Sequence, residues 1–264
     1  MGEVLGHQVP ASAAVMAEWE SRIADAVRQL HIGCDERTPA RIARYHAMLA
    51  DWNMRMNLTG DTDFDTSLDR HYTDCLAPLI NRELFPDGAS LIDVGSGAGF
   101  PGLPLAIARP DLQVMLLDSL MKRIHFLDAV VKELGLTNVR LVHSRAEDGG
   151  RDAALRENFD IAVARAVAPL PVLCELLLLF VKVGGRMICY KGPSAEEELQ
   201  AGQKAAHMLG GAAVEHIPVA IPSQPDWQHC LLTCEKKVKT VRQYPRKAGT
   251  PGRSPLGAAP RKAE

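Results

Sequence analysis

The residues of this sequence with the clearest chemical potential form a glycine-rich loop that follows an acid. Asp93 closes an apolar segment, and glycines follow it at positions 95, 97, 99 and 102. Glycine adopts backbone angles that are closed to other residues and carries no Cβ, so the main chain of such a loop can approach a ligand closely. A helix expected from about Pro101 would point its unpaired N–H groups at the same ligand. The loop therefore predicts a site for a nucleotide-type cofactor.

The spacing of the glycines alone does not identify that cofactor. A GxGxxG pattern exists only in the frame Gly97, Gly99, Gly102, whereas the frame that begins at Gly95 and Gly97 reaches Phe100 at its third position. Such a pattern is also typical of nicotinamide-dependent oxidoreductases. A tight turn with a helix-capping aspartate and no ligand is the remaining alternative.

Two acids favour S-adenosylmethionine (AdoMet) as the ligand of this loop. Asp93 would repel the pyrophosphate of a dinucleotide, but it would attract the ammonium and sulfonium groups of AdoMet. Asp118 ends the next apolar segment, about 20 residues beyond the loop, where an acid commonly binds ribose hydroxyls. Because both cofactors contain ribose, only Asp93 separates them. We therefore expect Asp93, Gly95, Gly97 and Asp118 to bind AdoMet.

The elements that position this loop begin with a helical layer. Helical periodicity runs over about residues 16–31, and a second helix is expected to start with Thr38 as N-cap and Pro39 at its first position. The second helix has one apolar face, and a third helix is expected over about residues 67–84. The first 85 residues therefore predict a layer of helices.

From residue 89 the pattern alternates between strands and helices. Strands are expected at 89–94, 112–117, 138–142, 159–164, 185–190, 212–220 and 228–236. Helices are expected at 101–109, 120–135, 169–182 and 194–208, the last with a capping box of Ser194 and Glu197. This alternation indicates a mainly parallel, doubly wound α/β sheet, but only a proline-containing linker separates the last two strands, which predicts an antiparallel hairpin. A Rossmann-like seven-stranded sheet with this ending is the architecture expected of an AdoMet-dependent methyltransferase.

Charge and composition limit the possible partners. The net charge is −2 and 47% of the residues are hydrophobic, so the chain is globular and would need a local basic patch to bind an anion. The apolar run 176–181 is too short to span a bilayer, and the chain starts without a secretion pattern. Six scattered cysteines without a CxxC pair favour reduced thiols over zinc. We expect a cytoplasmic protein with no membrane and no metal partner.

The C-terminal residues form a basic segment. The charges after Glu235 are positive until Glu264: Lys236, Lys237, Lys239, Arg242, Arg246, Lys247, Arg253, Arg261 and Lys262. Proline, glycine and like charges predict disorder in the free chain, and positive charge suits phosphates, although a solubilising tail is the alternative. The sequence thus predicts three parts: a helical region at 1–85, an AdoMet-dependent methyltransferase domain at 86–238 and a basic, disordered tail at 239–264.

An ordered set of motifs over about residues 38–256 carries a resemblance to a known family. The motifs are Trp52-Asn53, Asn57-Leu58-Thr59, Arg70-His71 with Asp74, the stretch 93–102, Leu117-Asp118-Ser119, Lys122-Arg123, Ser144-Arg145-Ala146-Glu147, Arg165-Ala166, Lys191-Gly192 and the stretch 244–252. With them the chain resembles the small-subunit (16S) ribosomal RNA guanine-N7 methyltransferases, known as RsmG or GidB. The resemblance implies that the target is guanine-527 in the decoding region of the rRNA, free or in an assembling subunit.

The resemblance also implies roles for individual residues. It places Gly95 and Phe100 against the cofactor in the glycine loop. It places Ala146 and Glu147 beside the adenine, after the third strand. It places Arg165 at the mouth where the methyl group is transferred, in contact with cofactor or substrate.

The chemistry of guanine N7 fits the residues that the sequence offers. N7 carries a lone pair and no proton, so its methylation needs neither a general base nor an enzyme nucleophile, only alignment with the methyl group. Cys174 and Cys189 lie in apolar runs where a thiol is inert, unlike the thiolate of pyrimidine-C5 methyltransferases. Arg165 follows a predicted strand, and its guanidinium can bind the acceptor edge of guanine or a phosphate. An ordinary salt bridge is its alternative, and its removal is expected to spare the fold.

Several further residues have weaker functional interpretations. Lys191 ends the next strand and would meet a phosphate or solvent, and Lys122, Arg123 and Arg145 would form a local basic patch. Arg70, His71 and Asp74 are expected to brace the helical layer against the glycine loop rather than to act in catalysis. For the whole chain, a methyltransferase for a small molecule and a non-catalytic regulator that binds AdoMet or RNA remain alternatives.

Overall fold

A mixed sheet of seven strands forms the centre of the structure. A computed structural model describes residues 11–257, so the predictions for residues 1–10 and for Arg261 and Lys262 lie outside the described residues. The strands are β1 (Ser90–Val94), β2 (Gln113–Asp118), β3 (Val139–His143), β4 (Phe159–Arg165), β5 (Val181–Lys191), β6 (Glu215–Val219) and β7 (His229–Glu235). Their order is β3-β2-β1-β4-β5-β7-β6, and β7 runs antiparallel to both of its neighbours. The predicted Rossmann-like sheet and its closing hairpin are confirmed.

Helices cover both faces of this sheet. They are α1 (Ala13–Gln29), α2 (Thr38–Met56), α3 (Phe64–Ser67), α4 (Asp74–Leu76), α5 (Gly102–Ala108), α6 (Met121–Glu133), α7 (Ala146–Gly149), α8 (Leu170–Leu177), α9 (Ala195–Met208) and α10 (Thr250–Arg253). The N-terminal helices share one apolar cluster with α5, α6 and one face of the sheet. Helices α8 and α9 share a second cluster with the opposite face. Because both faces are covered, the central strands are apolar along most of their length.

The third predicted helix is wrong as a continuous element. Between α3 and α4 the chain forms a π-helical turn, Leu68–Thr73, and after α4 it tightens into a 3₁₀ turn, Ala77–Ile80. The Thr73 hydroxyl donates to the carbonyl of Leu68 within the wide turn, at 2.8 Å. Pro78 has no N–H to continue an α-helix, which explains the change after α4. The π turn carries Arg70 and His71, and both residues belong to the candidate active site.

Two capping predictions are also wrong. Helix α2 begins at Thr38 itself, with Pro39 in its first turn, and no side chain caps it. Ser194 occupies the N-cap position of α9, but its side chain makes no capping bond, so no capping box with Glu197 forms. In both cases the residue types allow the cap, but the local backbone does not point the hydroxyl at the helix.

The predicted disorder of the C-terminal segment is wrong for residues 239–257. Tyr244 and Leu256 are buried in the apolar cluster that contains α8 and α9. The guanidinium of Arg246 pairs with the fully buried carboxylate of Glu175, with Nη2 and Oε2 2.6 Å apart. Composition predicts disorder only for a segment that lacks partners, and these partners lie on distant parts of the chain.

The segment's charges are also distributed differently from the expectation. Lys236 is fully buried, and its ammonium donates to the carbonyl of Leu178 and to the hydroxyl of Thr240 while lying 3.2 Å from Glu157. It is therefore unavailable to a phosphate. Within the described part of this segment, the exposed positive charges are those of Lys237, Lys239, Arg242, Lys247 and Arg253. No helix within residues 11–257 is both long and apolar enough to cross a membrane.

Candidate active site

A cleft of about 1110 Å³ opens at one edge of the sheet. It lies at the carboxyl ends of β1, β2, β4 and β5 and at the start of the antiparallel β7. The strand order reverses between β1 and β4, so the loops that follow these strands diverge and leave a crevice, where ligands bind in sheets of this type. Predicted residues in its wall are Gly95, Gly97, Phe100, Asp118 and Arg165.

Close packing holds the glycine loop between β1 and α5. The Tyr45 hydroxyl, from α2, donates to the carbonyl of Ala98 in the loop. A Cβ on Gly102 would meet the side chain of Leu116 and would lie 2.7 Å from Asp93 Oδ2. Glycine is therefore required at position 102 by packing, and the helical layer fixes the shape of the loop.

Asp93 contacts the loop rather than the cleft. Its side chain is fully buried, and Oδ2 accepts a hydrogen bond from the N–H of Gly102 at 2.9 Å. Burial raises the pKa of this carboxyl to about 8, against the opposing effect of the Gly102 N–H. The other oxygen, Oδ1, is buried and has no hydrogen-bond partner among residues 11–257. The sequence shows that residue 93 is an acid, but it does not show that this side chain is buried and bonded to the loop.

The raised pKa of Asp93 predicts a pH dependence of stability. Between about pH 4 and pH 8 the folded protein keeps a proton that the unfolded chain releases, so this group's contribution to the free energy of unfolding falls as the pH rises through that window. Asp93→Asn removes the titrating group and preserves its shape. Urea unfolding at about pH 5 and about pH 8.5 should show a larger loss of stability with pH in the wild type than in the variant. Parallel losses in both proteins would contradict the assignment.

Asp118 lies in the cleft wall at the end of β2. Its Oδ2 accepts from the N–H of Gly97 at 2.9 Å and from Arg123 Nη1 at 3.2 Å, and its Oδ1 accepts from the N–H of Leu120 at 2.9 Å. The carboxylate therefore fastens the glycine loop to β2. A carboxylate has about four acceptor positions, so one remains for a hydroxyl of a ribose.

The groups along this half of the cleft fit AdoMet. Asp118 offers an acceptor for ribose, and beside it the main chain at Gly95 and Gly97 lines the cleft with no Cβ in the way. The cations nearest the loop, Arg123 and Arg165, are both paired with carboxylates. The donor set therefore fits a cationic ligand better than it fits a pyrophosphate.

Arg165 is the centre of a hydrogen-bonded network at the end of β4. Its Nη1 donates to the carbonyl of Arg70 at 2.7 Å and to Asp74 Oδ2 at 3.1 Å, and its Nη2 lies 3.2 Å from His71 Nδ1. The guanidinium also lies over the ring of Phe100, 4.8 Å from its centroid. The π-helical turn thus supplies two partners for this arginine and α4 supplies the third, and together they fix the arginine against the glycine loop.

His71 and Asp74 extend the network. The ring of His71 stacks on Phe100, with centroids 4.8 Å apart, and Asp74 Oδ1 lies 2.8 Å from Nδ1 of His229. Burial and the neighbouring Arg165 lower the pKa of His71 to about 4. The imidazole is therefore neutral near pH 7, which fits the predicted bracing role of the helical layer.

Ala146 and Glu147 do not lie in the cleft wall. They begin α7, just after Ser144, whose N–H donates to the carbonyl of Asp118 at 3.1 Å. The carboxylate of Glu147 accepts from the N–H of Gly249 at 2.8 Å. The structure thus connects the segment predicted to flank the adenine with the C-terminal segment, a contact that the sequence did not suggest.

The remaining basic candidates are mostly occupied. Lys191 donates to Glu198 Oε2 at 2.7 Å and to the carbonyl of Ala168 at 3.0 Å. Lys122 donates to the carbonyl of Met56, and Arg145 is exposed outside the cleft wall. The three residues predicted as a basic patch therefore do not converge on the cleft, because only Arg123 lies in its wall.

The thiols are unsuited to nucleophilic chemistry. Burial raises the pKa of the Cys189 thiol to about 12, and it raises the pKa of Cys174 as well. A thiol with a raised pKa carries almost no thiolate near neutral pH. In the described part of the chain no three His, Cys, Asp or Glu side chains are grouped as metal ligands.

Sequence reasoning missed one wall of the cleft. Residues 226–228, just before β7, and His229 at its start also line the cleft. The only signal was the predicted hairpin, because an antiparallel β7 must begin at the edge where the parallel strands end.

Comparisons with known proteins identify relatives of this chain. A family model described as GidB, rRNA small subunit methyltransferase G, matches residues 39–225. The ribosomal RNA small subunit methyltransferase G of Alkaliphilus metalliredigens is 45% identical over 232 residues, which cover 88% of this chain and 96% of the relative. That of Clostridium perfringens is 47% identical over 212 residues, covering 80% and 88%. The solved structure of a SAM-dependent methyltransferase from Aquifex aeolicus is 19% identical, with a TM-score of 0.48, and the match covers 65% of this chain and 93% of that one.

Proposed function

Because the chain belongs to the rRNA small subunit methyltransferase G family, we propose that it methylates N7 of a guanine in small-subunit ribosomal RNA. The protein is an AdoMet-dependent rRNA methyltransferase. The proposal adds the acceptor atom, N7, and the position that the family implies, guanine-527.

The observation that carries the choice of N7 is the environment of Arg165. Its guanidinium is held by Asp74, His71 and the Arg70 carbonyl, and it lies over the ring of Phe100 in the glycine loop. A fixed guanidinium can orient an acceptor edge, but it cannot remove a proton. The neighbouring imidazole has a pKa of about 4 and is a poor general base near pH 7. N7 needs orientation and no deprotonation, so this arrangement supports N7 over an exocyclic amine.

The same cleft suggests how the two ligands are arranged. We place AdoMet against Gly95, Gly97 and Asp118, with its adenine towards Ala146 and Glu147 beyond the cleft wall. When bound there, AdoMet supplies an electrophilic methyl group. Arg165 and Phe100 lie next to the glycine loop, where they orient the acceptor base and limit the access of water.

Mass spectrometry of small-subunit rRNA from cells with and without the protein tests this function. We expect 7-methylguanosine to disappear from one position in the cells that lack it, and the purified protein with AdoMet to restore it. Loss of a different modification would overturn the choice of N7. An unchanged rRNA together with methylation of a free nucleoside would support a small-molecule methyltransferase instead.

We further propose that the exposed charges of the C-terminal segment contact RNA phosphates in the cytoplasm. Lys239, Arg242 and Lys247 are exposed, whereas Lys236 and Arg246 are engaged within the fold. The three exposed charges form a positive surface next to the sheet domain, which we propose to span residues 86–238. The net charge of −2 does not reveal this surface. The helical region proposed at residues 1–85 would then support the cofactor-binding loop.

A triple replacement tests this contact without removing the buried anchors. Lys239, Arg242 and Lys247 changed to alanine should lower the slope of log affinity against log salt by about 2 to 3 for RNA, since each phosphate contact contributes about 0.7 to 0.9. RNA binding is measured at several salt concentrations. Arg28, Arg37 and Lys132, exposed charges on the opposite face of the sheet, provide a control with the same change in net charge. Equal slopes for the two triple variants would show that the segment does not touch RNA.

A further inference from the structure

One wall of the cleft presents an aromatic ring, a cation and an acid that the proposed chemistry does not yet use. Arg70, Asp226 and Trp227 all line the cleft, and the region that matches the family model ends before the last two. Arg70 and Asp226 are exposed, and Trp227 is half-buried. We call these three side chains the distal wall.

The distal wall is built on a braced loop. Asp69, in the π-helical turn, accepts from the Ser223 hydroxyl at 2.6 Å and from the Gln224 amide at 2.8 Å. At the other end of the loop, His229 is held by Asp74. The turn that fixes Arg165 therefore also fixes the loop that carries Trp227, and the two sides of the cleft are held at a defined separation.

The ring of Trp227 packs against the ring of His229, with centroids 4.9 Å apart, and is covered by one further group that a nucleobase can replace. The guanidinium of Arg70 lies over it, 5.7 Å from the ring centroid. Within residues 11–257, no carboxylate pairs with that guanidinium, so only the ring and solvent hold it there. A planar cation over an indole occupies the position of a stacked base, and a base that displaced it would leave Arg70 free to bind a phosphate.

Asp226 adds an acceptor beside the ring. In the described part of the chain its carboxylate makes no hydrogen bond and no ion pair. The Watson–Crick edge of guanine carries two adjacent donors, N1–H and the 2-amino group, and a carboxylate accepts from both. Adenine offers no such pair of donors, so an acid at this position would discriminate between the purines.

The strand order gives the orientation. The glycine loop follows β1, whereas Asp226 and Trp227 precede β7, and β4 and β5 lie between them. In guanine, N7 lies on the side of the purine opposite N1 and the 2-amino group. A guanine whose N7 faces the glycine loop across Arg165 therefore turns its Watson–Crick edge towards β7, where Asp226 and Trp227 lie.

We propose that the distal wall is the guanine-recognition subsite of this enzyme. Trp227 stacks on the target base, Asp226 accepts from N1–H and the 2-amino group, and Arg70 binds a flanking phosphate. The inference rests on the proposed function, because it assumes that a guanine of RNA enters the cleft with N7 towards the cofactor.

Kinetics with three variants and two controls test the subsite. With small ribosomal subunits from cells that lack the enzyme, Trp227→Ala should lower kcat/KM for methyl transfer about 10- to 100-fold, and Trp227→Phe should stay within about threefold of the wild type, because stacking tolerates another aromatic ring. Asp226→Asn should lower it about tenfold. AdoMet affinity, measured by calorimetry, should be unchanged in all three. Met208→Ala and Glu20→Gln, at exposed positions outside the cleft, are the matched controls.

A direct binding measurement separates base recognition from a structural role of the loop. Guanosine 5′-monophosphate, added with S-adenosylhomocysteine, should quench tryptophan fluorescence in the wild type and in Trp52→Phe but not in Trp227→Phe. Inosine 5′-monophosphate, which lacks the 2-amino group, should bind more weakly than guanosine 5′-monophosphate, and Asp226→Asn should reduce this difference.

Two results would overturn the subsite. One is wild-type kcat/KM in Trp227→Ala, and the other is a loss of AdoMet affinity in that variant, which would assign the wall to the cofactor side. Failure of the proposed function is distinguishable from both, because the wild-type protein itself would then leave the subunits unmethylated at guanine N7.

Discussion

Gly95→Asp should abolish AdoMet binding, lowering the affinity about 100-fold or more, which corresponds to about 3 kcal/mol. Gly95 has a φ of +78°, a conformation that side chains other than glycine rarely adopt. A Cβ at this position would lie 3.0 Å from Val167 Cγ2, across the entrance to the loop. The rest of the aspartate side chain then has only the cleft to occupy, where we place the cofactor. Isothermal titration with AdoMet measures the effect.

Gly88→Asp is the matched control for this change. Gly88 also has a positive φ, +70°, but no atom lies within 4 Å of a Cβ built on it, and it belongs to an exposed turn before β1. Both variants should lose about 1–2 kcal/mol of stability through backbone strain. Only Gly95→Asp should lose the cofactor. An unchanged AdoMet affinity in Gly95→Asp would remove the loop from the binding site.

Arg165→Ala should lose both methyl transfer and stability. The guanidinium is the partner of Asp74, whose side chain is only 9% exposed, and removing one member of a buried pair costs roughly 3–5 kcal/mol. Asp74 keeps His229, so we expect the lower end of that range. The sequence alone predicted that this change would spare the fold. Urea unfolding and methyl-transfer assays measure the two effects.

A second substitution separates the structural from the catalytic contribution of Arg165. Arg165→Ala combined with Asp74→Ala removes both charges and should recover part of the stability lost in the single variant. Methyl transfer should stay low, because the guanidinium is still missing. Lys132→Ala, which breaks an exposed pair with Asp128 on α6, should cost about 0.5 kcal/mol or less. Wild-type turnover in Arg165→Ala would exclude this residue from the site.

The predictions that the structure confirmed rest on local patterns. The strands from Ala89 to Glu235 follow from alternation and spacing, and the glycine loop with its flanking acids follows from residue types at neighbouring positions. These features can be predicted from the sequence because backbone angles, apolar periodicity and chain reversal depend on residues close in sequence. They were sufficient to predict the sheet, its antiparallel ending and the edge at which the cleft lies.

The predictions that failed concern partners distant along the chain. The C-terminal segment predicts disorder by composition, but Glu175 offers it a buried carboxylate 71 residues earlier. No periodicity in the sequence predicts the π-helical turn, yet it supplies the Arg70 carbonyl and His71, two of the groups that fix Arg165.

The sequence by itself therefore determined the type of sheet and the glycine loop, because each is encoded by neighbouring residues. Only the tertiary structure decided what Asp93, Glu147 and Arg165 contact and which wall faces the loop across the cleft. The physical reason is that burial and hydrogen-bond partners arise when distant segments pack together, and the free energy of a charge depends on those partners far more than on its position in the chain.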